Sequence, residues 1–149
     1  MLINPDVFHW QITLIPPVGS NYESGFFKIE ALFRENYPNS PPIMKFLTRI
    51  YHYNICGKTG HICVNTIKKD LSKNFTMEDV LNHVIVLLYN QEPNDAFNGI
   101  AARKYLEDKN LFLEEVKSQI KEYANINDYE NLTKQGISPI KNCNCRWCI

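Results

Sequence analysis

The side chains in this sequence best suited to forming a covalent bond are its five cysteines, of which Cys56 and Cys63 lie in the body of the chain. Cys63 stands in Gly60-His61-Ile62-Cys63-Val64-Asn65, within a long aperiodic stretch. Loops carried on a rigid scaffold are where reactive groups concentrate, so Cys63 is a candidate nucleophile. The competing reading is an inert structural thiol, because free cysteine is among the most buried residue types. His52 and His61 are nearby in sequence, yet neither stands in a pattern that marks a general base. The residues alone therefore do not define a protease, and a base brought in by tertiary contact stays open. Cys143, Cys145 and Cys148 crowd the last seven residues. A structural zinc site wants four ligands, and every histidine lies at or before His83, so no metal site is expected there.

The elements that must position Cys63 come in two blocks. In residues 8–14, Phe8, Trp10, Ile12 and Leu14 alternate with His9, Gln11 and Thr13, the period of a half-buried strand. The turn-rich run Pro16-Pro17-Val18-Gly19-Ser20-Asn21 ends it. Alternation resumes with Phe27, Ile29, Ala31 and Phe33, and after Tyr37-Pro38-Asn39-Ser40-Pro41-Pro42 a third apolar run covers residues 43–47. Beyond the aperiodic stretch, the period becomes helical. Thr76 and Asp79 have capping-box spacing ahead of Val80, Leu81, Val84, Ile85, Leu87 and Leu88. A short helix is expected around residues 100–105, and Asp108 is placed to cap a last helix striped by Phe112, Val116, Ile120 and Tyr123. Sheet first and helices after predict an α+β domain, an antiparallel meander packed against helices. That core is expected over residues 1–124, with a polar, flexible extension over 125–149.

Composition narrows the function. Acidic and basic residues balance at 16 each and no long basic run occurs, which gives no support to nucleic-acid binding. No apolar run approaches the roughly 18 residues of a membrane span, and the first residues do not resemble a signal peptide. An odd cysteine count with three thiols at one end is a poor disulfide framework, which fits a reducing compartment, cytoplasm or nucleus.

From Phe8 to about Ala124 the chain resembles the ubiquitin-conjugating (E2) enzyme family. The resemblance is carried by Phe8-His9-Trp10-Gln11, Tyr22-Glu23-Ser24-Gly25-Phe26-Phe27, Tyr37-Pro38 with Pro41-Pro42, Thr48-Arg49-Ile50-Tyr51-His52-Tyr53-Asn54, Gly60-His61-Ile62-Cys63 and Pro93-Asn94-Asp95, in that order. It implies that Cys63 carries ubiquitin or a ubiquitin-like protein as a thioester, received from an E1 activating enzyme and passed to a substrate lysine or a ligase cysteine. Such exchange needs little from a base, because a few per cent of an ordinary cysteine is thiolate near pH 7. Asn54 falls at the asparagine of the family's His-Pro-Asn motif, to stabilise an oxyanion or hold the loop in shape. Asp95 falls at an acidic position that orients the incoming lysine and aids its deprotonation; its alternative is a helix or loop cap. His52 is implied to be structural. Tyr37, Pro41 and Pro42 also read as structural, the prolines by fixing φ. No cofactor is implied, ATP being consumed by the activating enzyme.

Several positions depart from the family pattern. Tyr53 replaces the motif proline, removing a φ restraint. The connection from Asn54 to Cys63 is one residue longer than in many members, and Leu71 stands where a tryptophan is common. Asn39 and Ser40 in one loop, and Lys73 and Asn74 in the other, replace residues that dock E3 ligases; loss of an apolar anchor typically costs about 2 kcal/mol or more at an interface. Either weak ligase binding or an unusual partner is therefore expected. Only seven residues precede Phe8, so most of the family's leading helix, a docking surface for the activating enzyme, is expected to be missing. These departures keep a second reading open: a non-catalytic module on the same fold that binds ubiquitin or a partner enzyme.

Overall fold

The computed structural model describes residues 9–62, 75–89 and 96–125. Cys63, Leu71, Lys73, Asn74, Asp95 and the 126–149 segment lie outside the described residues.

Strands β1 (His9–Leu14), β2 (Phe27–Leu32) and β3 (Ile43–Phe46) form an antiparallel sheet in sequence order. The pairs Trp10↔Ala31, Ile12↔Ile29 and Leu14↔Phe27 put the apolar sets of β1 and β2 on one face. Ala31↔Met44 and Ile29↔Phe46 extend that face to β3. The opposite face carries charge: His9 Nε2 meets Glu30 Oε1 at 2.7 Å, and Lys45 Nζ lies 3.7 Å from Glu30 Oε2. One apolar and one polar face is the pattern that period-two alternation demands.

Helices α1 (Met77–Tyr89), α2 (Gly99–Glu107) and α3 (Lys109–Tyr123) follow. At the start of α1, Thr76 N–H donates to Asp79 Oδ2 at 2.6 Å and Asp79 N–H to Thr76 Oγ1 at 3.2 Å, a reciprocal capping box. These bonds hold the Asp79 carboxyl below its ordinary pKa. Asp108 Oδ1 caps α3 by accepting from the N–H groups of Asn110 and Leu111. Val80, Val84, Leu87 and Leu88 of α1 and Phe112, Val116 and Ile120 of α3 are buried in one core with Phe27, Ile29 and Phe46. Among the described residues the α+β meander-then-helix order therefore stands.

Residues 51–62 are better ordered than their lack of periodicity suggests. Ile55 and Ile62 form an antiparallel bridge, Cys56 N–H donates to the His61 carbonyl at 3.0 Å, and Gly60 N–H to the Cys56 carbonyl at 2.7 Å. The last of these closes a five-residue turn. Its outgoing arm then docks on β3: Phe46 N–H donates to Gly60 O at 2.8 Å and Ile62 N–H to Met44 O at 3.1 Å.

Candidate active site

His52 is completely buried, and both ring nitrogens are committed. Nε2 donates to the Leu87 carbonyl of α1 at 3.0 Å, while Nδ1 accepts the Asn54 N–H at 3.0 Å. These partners fix a neutral ring protonated at Nε2. Burial pushes its pKa down to about 4, only partly opposed by the bond to Leu87 O. A buried neutral ring with both nitrogens already hydrogen-bonded has no free lone pair to act as a general base, so His52 is a strut that ties the Asn54 segment to α1.

The low pKa makes a prediction. Between about pH 6.5 and 4 the unfolded chain binds a proton on His52 that the folded chain refuses. Stability is therefore full above 6.5 and falls as the pH drops towards 4, by roughly 3 kcal/mol from this group. Denaturation midpoints of wild type and His52→Gln from pH 7.5 to 4.5 check this: the variant starts lower but should lose less on acidification. Parallel pH profiles would remove His52 as the cause.

Tyr53 does more than replace a proline. It is fully buried, with its ring 5.2 Å from those of His52 and Tyr105 and 5.8 Å from that of Phe112. Its carbonyl accepts from Phe97 N–H at 2.6 Å and Asn98 N–H at 2.8 Å. The lost φ restraint is offset by aromatic packing and by two bonds that tether the entry to α2. Next to it, Asn54 is also fully buried. Tyr22 braces the same segment, its hydroxyl donating to the Tyr51 carbonyl at 2.8 Å.

Asn98 provides the N-cap of α2, with its side chain accepting from Ala101 N–H. Sequence reading gave no role to Asn98; its position just ahead of Gly99-Ile100-Ala101-Ala102 was the available signal. His61 is half-buried, with Nδ1 2.9 Å from Thr59 Oγ1. Burial, then the Lys45 charge, hold its pKa below the ordinary value against the pull of Glu30.

The loop that carries Asn39 and Ser40 is also built from bonds within itself. Asn39 is exposed, its N–H donating to Asn36 O at 2.7 Å, and Asn36 Nδ2 donates to Ser40 Oγ at 2.9 Å. Tyr37 packs edge-on against Phe33 and Phe75, with Pro41 and Pro42 buried behind it, which agrees with a structural role for all three.

Among the described residues, then, His52, Tyr53 and Asn54 form one buried unit, and the bridged arm ending at Ile62 carries the chain directly to Cys63. No group of three metal-binding side chains occurs among the described residues, and none of the described helices is long and apolar enough to cross a membrane.

Comparison with known proteins agrees with this architecture. Residues 1–120 match the family profile described as ubiquitin-conjugating enzyme. The chain is 32% identical over 142 residues to Ubiquitin-conjugating enzyme E2 1 of Schizosaccharomyces pombe, covering 92% of this chain and 65% of that protein. It thus spans about two thirds of that relative's length. A solved structure assigned as a ubiquitin conjugating enzyme from Plasmodium yoelii superposes with a TM-score of 0.76 at 31% identity, over 83% of this chain and 80% of the other. The E2 domain of a Toxoplasma gondii ubiquitin conjugating enzyme gives 0.76 at 30% identity, over 83% and 86%. The chain belongs to the ubiquitin-conjugating enzyme family.

Proposed function

We propose that the chain accepts ubiquitin or a ubiquitin-like protein from an E1 activating enzyme as a thioester on Cys63, then passes it to a substrate lysine or to a ligase cysteine. The observation that carries this reading is family membership across residues 1–120, a span that includes the Gly60-His61-Ile62-Cys63 motif. In the first step the Cys63 thiolate attacks the modifier's thioester carbonyl; a new C–S bond forms and the activating enzyme's thiolate leaves. In the second, a lysine amine attacks that carbonyl, the C–N bond forms, and Cys63 leaves as thiolate. Asp95 orients the amine and takes up its proton. The buried position of Asn54, one bond from the His52 strut, favours the loop-holding role over direct oxyanion contact. The cytoplasm or nucleus, being reducing, would keep the thiol free.

The experiment is charging. Wild-type chain with activating enzyme, ATP and ubiquitin should form an adduct destroyed by thiol reductant. If no labile adduct formed with ubiquitin or any ubiquitin-like protein, even at high activating-enzyme concentration, the binding-module reading would replace this one. The Asp95 role is tested separately from preformed thioester. Asp95→Ala should slow discharge onto free lysine by roughly tenfold or more while leaving discharge onto a small thiol less affected. Equal slowing of both reactions would indicate general damage to the cleft.

A further inference from the structure

The Cys56–Gly60 turn and the start of α2 border a cavity of about 500 Å³. Its apolar surfaces include Ile50, Phe97 and Ile100, and its border carries Arg49 and Lys58. A second cavity of about 210 Å³ shares Arg49, Cys56 and Lys58, so the two form one groove around the turn. Charge is uneven along it. On the α3 side Glu115 is already engaged, with Lys104 Nζ at 3.8 Å and Gln119 Nε2 at 3.0 Å. On the turn side Arg49 and Lys58 are exposed, and neither pairs with a carboxylate among the described residues; the Arg49 guanidinium lies over the Tyr123 ring at 5.1 Å. The N-terminal end of α2, with no acidic residue in its first turn, adds a positive dipole end at Gly99 and Ile100. At the lip, Ile100 is 77% exposed.

Building on the proposed function, we propose that this groove receives an acidic segment of the acceptor protein flanking the lysine to be modified. The occupant follows from charge and reach. Two exposed cations without a carboxylate partner among the described residues, together with a helix N-terminus, select carboxylates, and the apolar lip selects a polypeptide with side chains to lay against Ile100 over a small anion. The turn is tied to the chain leading into Cys63 by the Ile55↔Ile62 bridge. With bridged residues about 5 Å apart and steps of about 3.8 Å, Cys56 stands within roughly 9 Å of Ile62, one peptide step short of the next residue in sequence. An extended peptide spans that distance and the further step in about four residues. Acceptor lysines with glutamate or aspartate about four residues away would therefore be preferred.

The test uses the full chain and two labelled peptides, each with one lysine; one carries glutamates four and five positions away, the other glutamines. In single-turnover discharge from the thioester, at subsaturating peptide, the acidic peptide should react roughly fivefold to tenfold faster, the scale of two exposed ion pairs. The ratio should fall to about one or below in Arg49→Glu/Lys58→Glu, whatever the absolute rates, and move part of the way in Lys58→Glu alone. A wild-type ratio near one, or a preference that survives the double variant, overturns the proposal. Amide shifts of the uncharged chain provide a readout that needs no thioester. Titration with the acidic peptide should move Gly57, Lys58, Gly99 and Ile100. Such shifts without any thioester would keep the groove as an acidic-peptide site and remove the catalytic reading; a thioester with no shifts would keep catalysis and remove the groove.

Discussion

Gly60→Ala is expected to destabilise the protein by more than about 3 kcal/mol, far beyond the usual cost of a glycine substitution. Gly60 has φ of +74°, a left-handed conformation that costs an L-residue about 1–2 kcal/mol. The larger effect is steric. A Cβ there would stand 2.0 Å from the Phe46 carbonyl oxygen and 3.0 Å from its carbon. Both obstacles are backbone, so no rotamer change relieves them. The Gly60 arm would have to lift from β3, stretching the Phe46 N–H to Gly60 O bond of 2.8 Å and the neighbouring Ile62 N–H to Met44 O bond of 3.1 Å. Because that arm leads into Cys63, slower charging should accompany the lower stability. Gly99→Ala is the contrasting variant: an added Cβ meets nothing within 4 Å, at the first helical residue of α2. It should be neutral or stabilising by less than about 1 kcal/mol. Denaturant midpoints, read with unchanged m-values, check the pair. Equal stability of Gly60→Ala and wild type would contradict the packing of the turn on β3.

Regular elements were legible because their information is local. Alternation in residues 8–14 and 27–33 gave β1 and β2, and the Thr76–Asp79 and Asp108 caps announced α1 and α3 within a few residues of their starts. The neighbourhood of the site was less legible because its bonds connect distant residues. Nothing around His52 shows that its ring will donate to Leu87, 35 positions away. Nothing around Tyr53 shows that Tyr105 and Phe112 will enclose it. Read alone, Tyr53 looked like a lost restraint; in the core it is a packed anchor. The Cys56–Gly60 turn had a partial local signal in Gly57 and Gly60, but its docking on β3 depends on a register that no period in residues 51–62 encodes. Cys63, conversely, is proposed as the nucleophile from its motif, not from any pattern of burial.

The choice of thiol gives the other large effect. Cys63→Ala should abolish the reductant-labile ubiquitin adduct altogether, while Cys56→Ala should retain it. Cys56 is only 5% exposed, and its backbone is held on both sides of the turn, donating to His61 O and accepting from Gly60 N–H. To meet the carbonyl carbon of a protein-sized thioester, its sulfur would have to leave the core, breaking the turn that supports Ile62. Cys63→Ser provides the chemical control: its hydroxyl is a far poorer nucleophile near neutral pH, so any adduct should form slowly and survive reductant as an oxyester. A chain with Cys143, Cys145 and Cys148 all changed to serine should charge like wild type. Gel mobility with and without reductant separates these outcomes. A labile adduct that persists in Cys63→Ala and disappears in Cys56→Ala would move the nucleophile into the turn; one lost only with the three C-terminal thiols would move it there instead.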